Sequence, residues 1–188
     1  LLIGTDGGLY ESFDGTESWK YVRNLPITQY FKIAVDDAKP FYNVYGGTQD
    51  NGSHGGPSRT ISSDGIASAD WWKTLGADGA QTATEPGNPD ISYGEFQQGA
   101  LWRIDSKTRE TVFIQPQARE GDPYERFNWD APILVSFHDS KRLYFASQRV
   151  WKSENRGDGW EPISSDLTLN QERMTFPYYG TTQSWDNA

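Results

Sequence analysis

The chain has 188 residues, a formal net charge of −9, a pI near 4.7, 14% aromatic residues, 19 Gly, 10 Pro, one Met and no Cys. That balance argues against a nucleic-acid partner, which needs clustered Lys and Arg, and the lack of Cys excludes disulfides, thiolate metal sites and a Cys nucleophile. No apolar run approaches the roughly 20 residues of a membrane-spanning helix, and the aromatic, Gly- and Pro-rich composition predicts many short strands joined by tight turns, with large rings supplying the burial.

In chain order, Leu1-Leu2-Ile3-Gly4 opens in mid-strand without an initiator Met or leader, which reads as part of a longer or processed protein. A second strand, Gly8-Leu9-Tyr10-Glu11, runs into Ser12-Phe13-Asp14-Gly15-Thr16-Glu17-Ser18-Trp19. An alternating strand follows at 31–35, then an Asp36-Asp37 turn, an aromatic strand from Phe41 and the Gly-flanked turn Gln49-Asp50-Asn51. Gly52 to Pro89 reads as irregular. Strand patterns return at 91–103, with Asp105 to Glu110 forming a hairpin, and Gln115 to Asp130 is a second irregular stretch. Both long connections are candidate functional loops. A strand at 132–137, a turn at 138–142 and strands at 143–152 then lead into Ser153-Glu154-Asn155-Arg156-Gly157-Asp158-Gly159-Trp160 and a short strand at 161–163. No helical stretch is predicted.

The two eight-residue segments share one frame: Ser, any residue, Asp or Asn, two spacers ending on a small residue, two more, then Trp. Aligned on their glycine-rich turns, Gly8, Gly52, Gly99 and Arg149 stand 44, 47 and 50 residues apart. A repeat of that length with four strands per unit predicts an all-β fold, a β-propeller. Four blades are expected, at about 1–27, 28–75, 76–118 and 127–168, with 169–188 leading into the next. In each frame Asp14 or Asn155 is expected to accept backbone N–H bonds two or three residues on. A small residue such as Gly157 tolerates positive φ, and Trp19 or Trp160 covers the hairpin. Ser12, Asp14, Trp19, Ser153, Asn155, Gly157 and Trp160 are therefore read as structural.

The frame resembles the Asp-box, or BNR repeat, of sialidases, xyloglucanase-type glycosidases, sortilin-type receptor domains and photosystem assembly factors. The second copy matches with Asn155 for Asp and Gly159 for Thr; the first carries Thr16 where Gly is usual and Ser18 for Thr. Tyr45 to Ser53 and Arg126 to Ile133 are similar to phrases in large bacterial proteins labelled sortilin-like or glycosyl hydrolase, BNR repeat. The resemblance implies an extracytoplasmic bacterial protein, and propellers of seven or more blades. Four repeats would then be part of a ring completed by further blades of the same protein or by another chain.

Ligand-binding candidates are Gln49, Asp50 and Asn51 on their Gly-flanked turn, with Arg126, Asn128 and Trp129 as an anion or sugar platform. A glycosidase needs two carboxyls at roughly 5–5.5 or 6.5–9.5 Å, for which Asp50, Asp78 and Glu95 are the catalytic candidates. The plainer reading has Asp50 and Asp78 capping their own turns and Arg126 pairing with a carboxylate. No cofactor is expected. His54 and His138 are too far apart in sequence to propose zinc, and the acidic pairs Asp36-Asp37 and Asp50-Asn51 offer Ca²⁺ oxygens but read first as solvated turns. The preferred function is a non-enzymatic module binding a protein or a glycan; the alternative is a glycoside hydrolase.

Overall fold

The computed structural model describes the chain except residues 6, 24–27, 173–174, 179–180 and 183–188. It is all-β, with short 3-10 turns at Ser68–Asp70 and Gln97–Gly99. The strands fall into four antiparallel sheets in chain order, none closed into a barrel. Sheet I holds β1 (Leu2–Thr5), β2 (Gly8–Glu11) and β3 (Lys20–Tyr21). Sheet II holds β4 (Ile33–Val35), β5 (Asn43–Thr48), β6 (Gly52–Pro57) and β7 (Trp72–Leu75). Sheet III holds β8 (Thr82–Thr84), β9 (Ile91–Phe96), β10 (Ala100–Asp105) and β11 (Thr111–Phe113). Sheet IV holds β12 (Ile133–Val135), β13 (Leu143–Ala146), β14 (Val150–Ser153) and β15 (Glu161–Pro162). A last hairpin pairs β16 (Pro177–Tyr178) with β17 (Thr181–Thr182), and residues 173–174, 179–180 and 183–188 of the segment expected to open the next blade lie outside the described residues.

Each sheet is a meander: strands successive in the chain pair as antiparallel neighbours. The first strands of sheets II, III and IV lie side by side. Thr84 Oγ1 donates to the Val35 carbonyl at 2.7 Å, and Gln81 Nε2 donates to the Ile133 carbonyl at 3.0 Å. The main core sits between sheets III and IV, where Tyr93, Leu101, Ile114, Ile133, Leu143 and Phe145 are buried together and Phe127 and Trp160 close the edge. Sheets II and III approach closely. Gly47 is required there, since a Cβ would stand 2.4 Å from the Ala80 carbonyl. Sheet I is the least covered: Leu2 and Ile3 are 62% and 45% exposed.

The region from Gly52 to Pro89 is not one irregular stretch. It contains β6, β7 and β8, and only 58–71, 76–81 and 85–89 lack strands. Gly55 and Gly56 obscured β6 in the sequence; they are needed because Trp72 and Trp71 lie flat on them. The 115–130 stretch has no strand, as expected.

Candidate functional site

Antiparallel meanders have two ends. The turns β2–β3, β10–β11 and β14–β15 lie at one; the turns β5–β6, β9–β10 and β13–β14, with the segments leading into β4, β8 and β12, lie at the other.

At the first end both eight-residue frames fold alike. Ser12 Oγ donates to Asp14 Oδ1 and accepts from Thr16 N at 2.9 Å, while Ser18 N donates to Asp14 Oδ1 at 3.0 Å. Ser153 Oγ donates to Asn155 Oδ1 and accepts from Gly157 N at 2.9 Å, while Gly159 N donates to Asn155 Oδ1 at 2.8 Å. The Asp or Asn thus reaches the N–H four residues on, not two or three as expected, because the Ser hydroxyl takes the nearer one. Two successive positive φ values bring the chain round: 74° and 84° at Gly15 and Thr16, 60° and 89° at Arg156 and Gly157. The hydrogen bond from the Ser18 hydroxyl holds the Asp14 carboxyl down at about 2.

The sheet IV frame is also a clamp on sheet III. Arg156 donates to both oxygens of Glu85 at 2.7 and 2.8 Å, and Glu85 is buried with Tyr93 and Asn88 as further donors. Arg103 donates to Asp158 and to the Arg156 carbonyl, and Trp160 Nε1 donates to the Ile114 carbonyl at 2.7 Å. A side chain at Gly157 would collide with Ile114. The third hairpin turns on Asp105, which accepts from Lys107 N and Thr108 N.

The binding and catalytic candidates all map to the second end or its approaches. Asp78 does not cap its own turn. Its two oxygens accept from Asp50 N and Gln97 Nε2, each at 2.7 Å, so it staples the β5–β6 turn to sheet III. Asp50 adopts a left-handed φ of 64° there. Arg126 pairs with Asp166 at 2.8 Å and Thr168 at 2.9 Å, as the plainer reading had it. Asn128 Oδ1 accepts from Trp129 N, and the Trp129 ring is 56% exposed.

Of the acidic pair Asp36-Asp37 only Asp37 is solvated, as expected. Asp36 is buried and saturated by Ala38 N, Asn43 N, Asn43 Nδ2 and Tyr45 Oη; Asp37 accepts from Gly87 N. That leaves Asp36 no lone pair to offer a cation.

Glu95 lies on β9, wholly buried, and neither of its oxygens makes a well-aligned hydrogen bond, the Ala131 and Gln81 N–H groups giving it only weak support; Asp130 Oδ1 is also unpaired. Burial, then the neighbouring Asp130 carboxyl, pushes the Glu95 carboxyl up to about 9. Asp130 Oδ2 meets Lys32 Nζ at 3.0 Å, and Lys32 also reaches Gln81 Oε1. Sequence reasoning picked Glu95 but missed Asp130, Lys32 and Gln81. The signal was their shared place just ahead of β4, β8 and β12.

Two grooves open at this end. One of about 740 Å³ lies between sheets I and II, lined among others by Tyr21, Phe31, Gln49, Asn51 and His54, with no Asp, Glu, Lys or Arg among its described lining. Burial, with Lys73 nearby, holds the His54 imidazole pKa down. The other, about 630 Å³, is lined by charged groups including Asp122, Glu125 and Arg126. Glu125 there is consumed by Arg149, Ser147 and Trp151. Among the described residues no helix is long and apolar enough to cross a membrane. No protein-family model matches the chain, and no curated protein matches it.

Proposed function

We propose that the chain is part of an Asp-box β-propeller acting as a non-enzymatic interaction module, binding a protein or a glycan through the end that carries Gln49, Asn51 and Trp129. The single observation that carries this reading is that the expected ligand residues, scattered from 49 to 129, gather at the end away from the structural frames. Side-by-side first strands in sheets II to IV support the propeller. Exposed Leu2, Ile3 and Phe13 on sheet I support a ring completed by further blades of the same protein or another chain. An extracytoplasmic bacterial setting follows from the family resemblance.

The groove between sheets I and II supports a neutral ligand. Aromatic rings beside side-chain amides match the C–H faces and hydroxyls of a sugar, and no cation stands in the groove's described lining. Glycoside hydrolysis is the weaker alternative. It needs two carboxyls facing the substrate at set separations, whereas Glu95 is buried against Asp130 and both Asp78 oxygens are taken. Titrating the chain with neutral β-glucan oligosaccharides and sialosides, with product analysis, tests the reading. Reversible binding weakened by Gln49→Ala supports it; turnover abolished by Asp50→Asn contradicts it.

A further inference from the structure

The Glu95 and Asp130 carboxyl groups face each other across two sheets. Glu95 belongs to β9 of sheet III; Asp130 leads into β12 of sheet IV; Lys32, which pairs with Asp130, leads into β4 of sheet II. With both acids ionised, two like charges meet beside a buried β9, and the Ala131 and Gln81 N–H groups only weakly support the Glu95 carboxylate. One proton on Glu95 removes the conflict. Its O–H becomes a donor to Asp130 Oδ1, and the Asp130–Lys32 ion pair leaves the cluster neutral. The charged groups facing Glu95 from elements packed on it are Asp130 and, behind it, Lys32. Gln81 is uncharged, and the cross-strand partner is Leu101. Asp130 directly follows Asn128 and Trp129.

We infer that the Glu95–Asp130 carboxyl pair is a proton-dependent latch that fixes the Asn128–Trp129 segment to sheet III, and that releasing the proton to solvent frees that segment. Ionised Glu95 repels Asp130 and pushes the 128–130 chain away from β9. The raised Glu95 carboxyl places the release on the alkaline side, toward pH 9. The significance for ligand presentation rests on the module reading above, but the latch itself is read without any ligand.

The chain has no cysteine, so Asn128→Cys carries a single nitroxide label whose mobility is followed by electron paramagnetic resonance from pH 6 to 10. The expected result is a transition from restricted to mobile approaching pH 9, absent in Glu95→Gln, whose side-chain amide keeps a donor toward Asp130 at every pH. Lys32→Gln, at a half-exposed position, provides a second test: losing the cation disfavours the ionised pair, so the midpoint moves to higher pH. A purely structural role would leave the midpoint in place. The latch is overturned if the labelled wild-type chain shows no transition, or if Glu95→Gln or Lys32→Gln leaves it unchanged. If the latch holds while ligand affinity is the same at pH 7 and 9, the assignment of Asn128–Trp129 to the ligand site fails instead.

Discussion

The frames at Ser12–Trp19 and Ser153–Trp160 have one hydrogen-bond pattern and two different surroundings. In sheet IV the loop is wedged against sheet III, with Arg156 on buried Glu85 and the Trp160 indole bonded to the Ile114 carbonyl. In sheet I the same loop faces outward, with Phe13 82% and Trp19 40% exposed. They also differ in the acceptor that organises them, an ionisable Asp14 against a neutral Asn155. The frame shapes a turn by itself. Its worth to the protein is set by what the turn is pressed against.

The comparison can be broken most severely at Arg156. Arg156→Ala leaves Glu85 buried without its cation, and urea denaturation should show a loss of about 3 kcal/mol. Gly15 occupies the matching place in sheet I, where an added Cβ would meet nothing within 4 Å. Gly15→Ala should cost only about 1 kcal/mol, from its left-handed φ. An equal loss at both sites would mean that docking contributes nothing.

Glu95 sets the background against which any pH effect is read. Its carboxyl is raised in the folded chain, so the native state holds a proton that the unfolded state has lost. Stability from this group is greatest below about 4.5, falls between about 4.5 and 9 by at most about 1.4 kcal/mol per pH unit, and is flat above. Glu95→Gln should flatten thermal midpoints across that window. A steep fall retained in the variant would place the titrating group elsewhere.

Next in size is the indole bond. Trp160→Phe strands the Ile114 carbonyl and should cost about 1–2 kcal/mol, while Trp19→Phe should stay within about 0.5 kcal/mol. The smallest effect separates Asp from Asn. The Asp14 carboxyl is lowered to about 2, chiefly by the Ser18 hydroxyl, so its contribution is present above about 3.8 and lost as pH falls through 2. Amide exchange at Thr16 and Ser18 should quicken between pH 4 and 2 relative to the intrinsic rate. Gly157 and Gly159, held through Asn155, should not respond; acid-sensitive protection in both loops would refute the distinction.

Strand order was legible because period-2 alternation and turn residues mark it, and the two frames marked sheets I and IV. Sheet II was partly hidden: the β6 run Gly52-Ser53-His54-Gly55-Gly56-Pro57 has no strand-like side chains, since it makes room for Trp71 and Trp72 supplied from 15 residues later. Gln49, Asn51 and Trp129 could be singled out by residue type and loop position. Asp78 was misjudged because a turn aspartate looks self-capping, while its real partners, Asp50 N and Gln97 Nε2, are 28 and 19 residues away. Asp130 was passed over because only the meeting of sheets III and IV sets it against Glu95.

The central claim is that the frame end holds the sheets together while the opposite end meets the ligand. Measuring urea stability and neutral β-glucan oligosaccharide affinity together on Arg156→Ala and Gln49→Ala tests it most directly. Arg156→Ala should lose stability and keep its affinity under native conditions; Gln49→Ala should keep stability and bind more weakly by about tenfold or more, roughly 1.4 kcal/mol. A folded Arg156→Ala chain that has lost binding, beside a Gln49→Ala chain that binds normally, would contradict it.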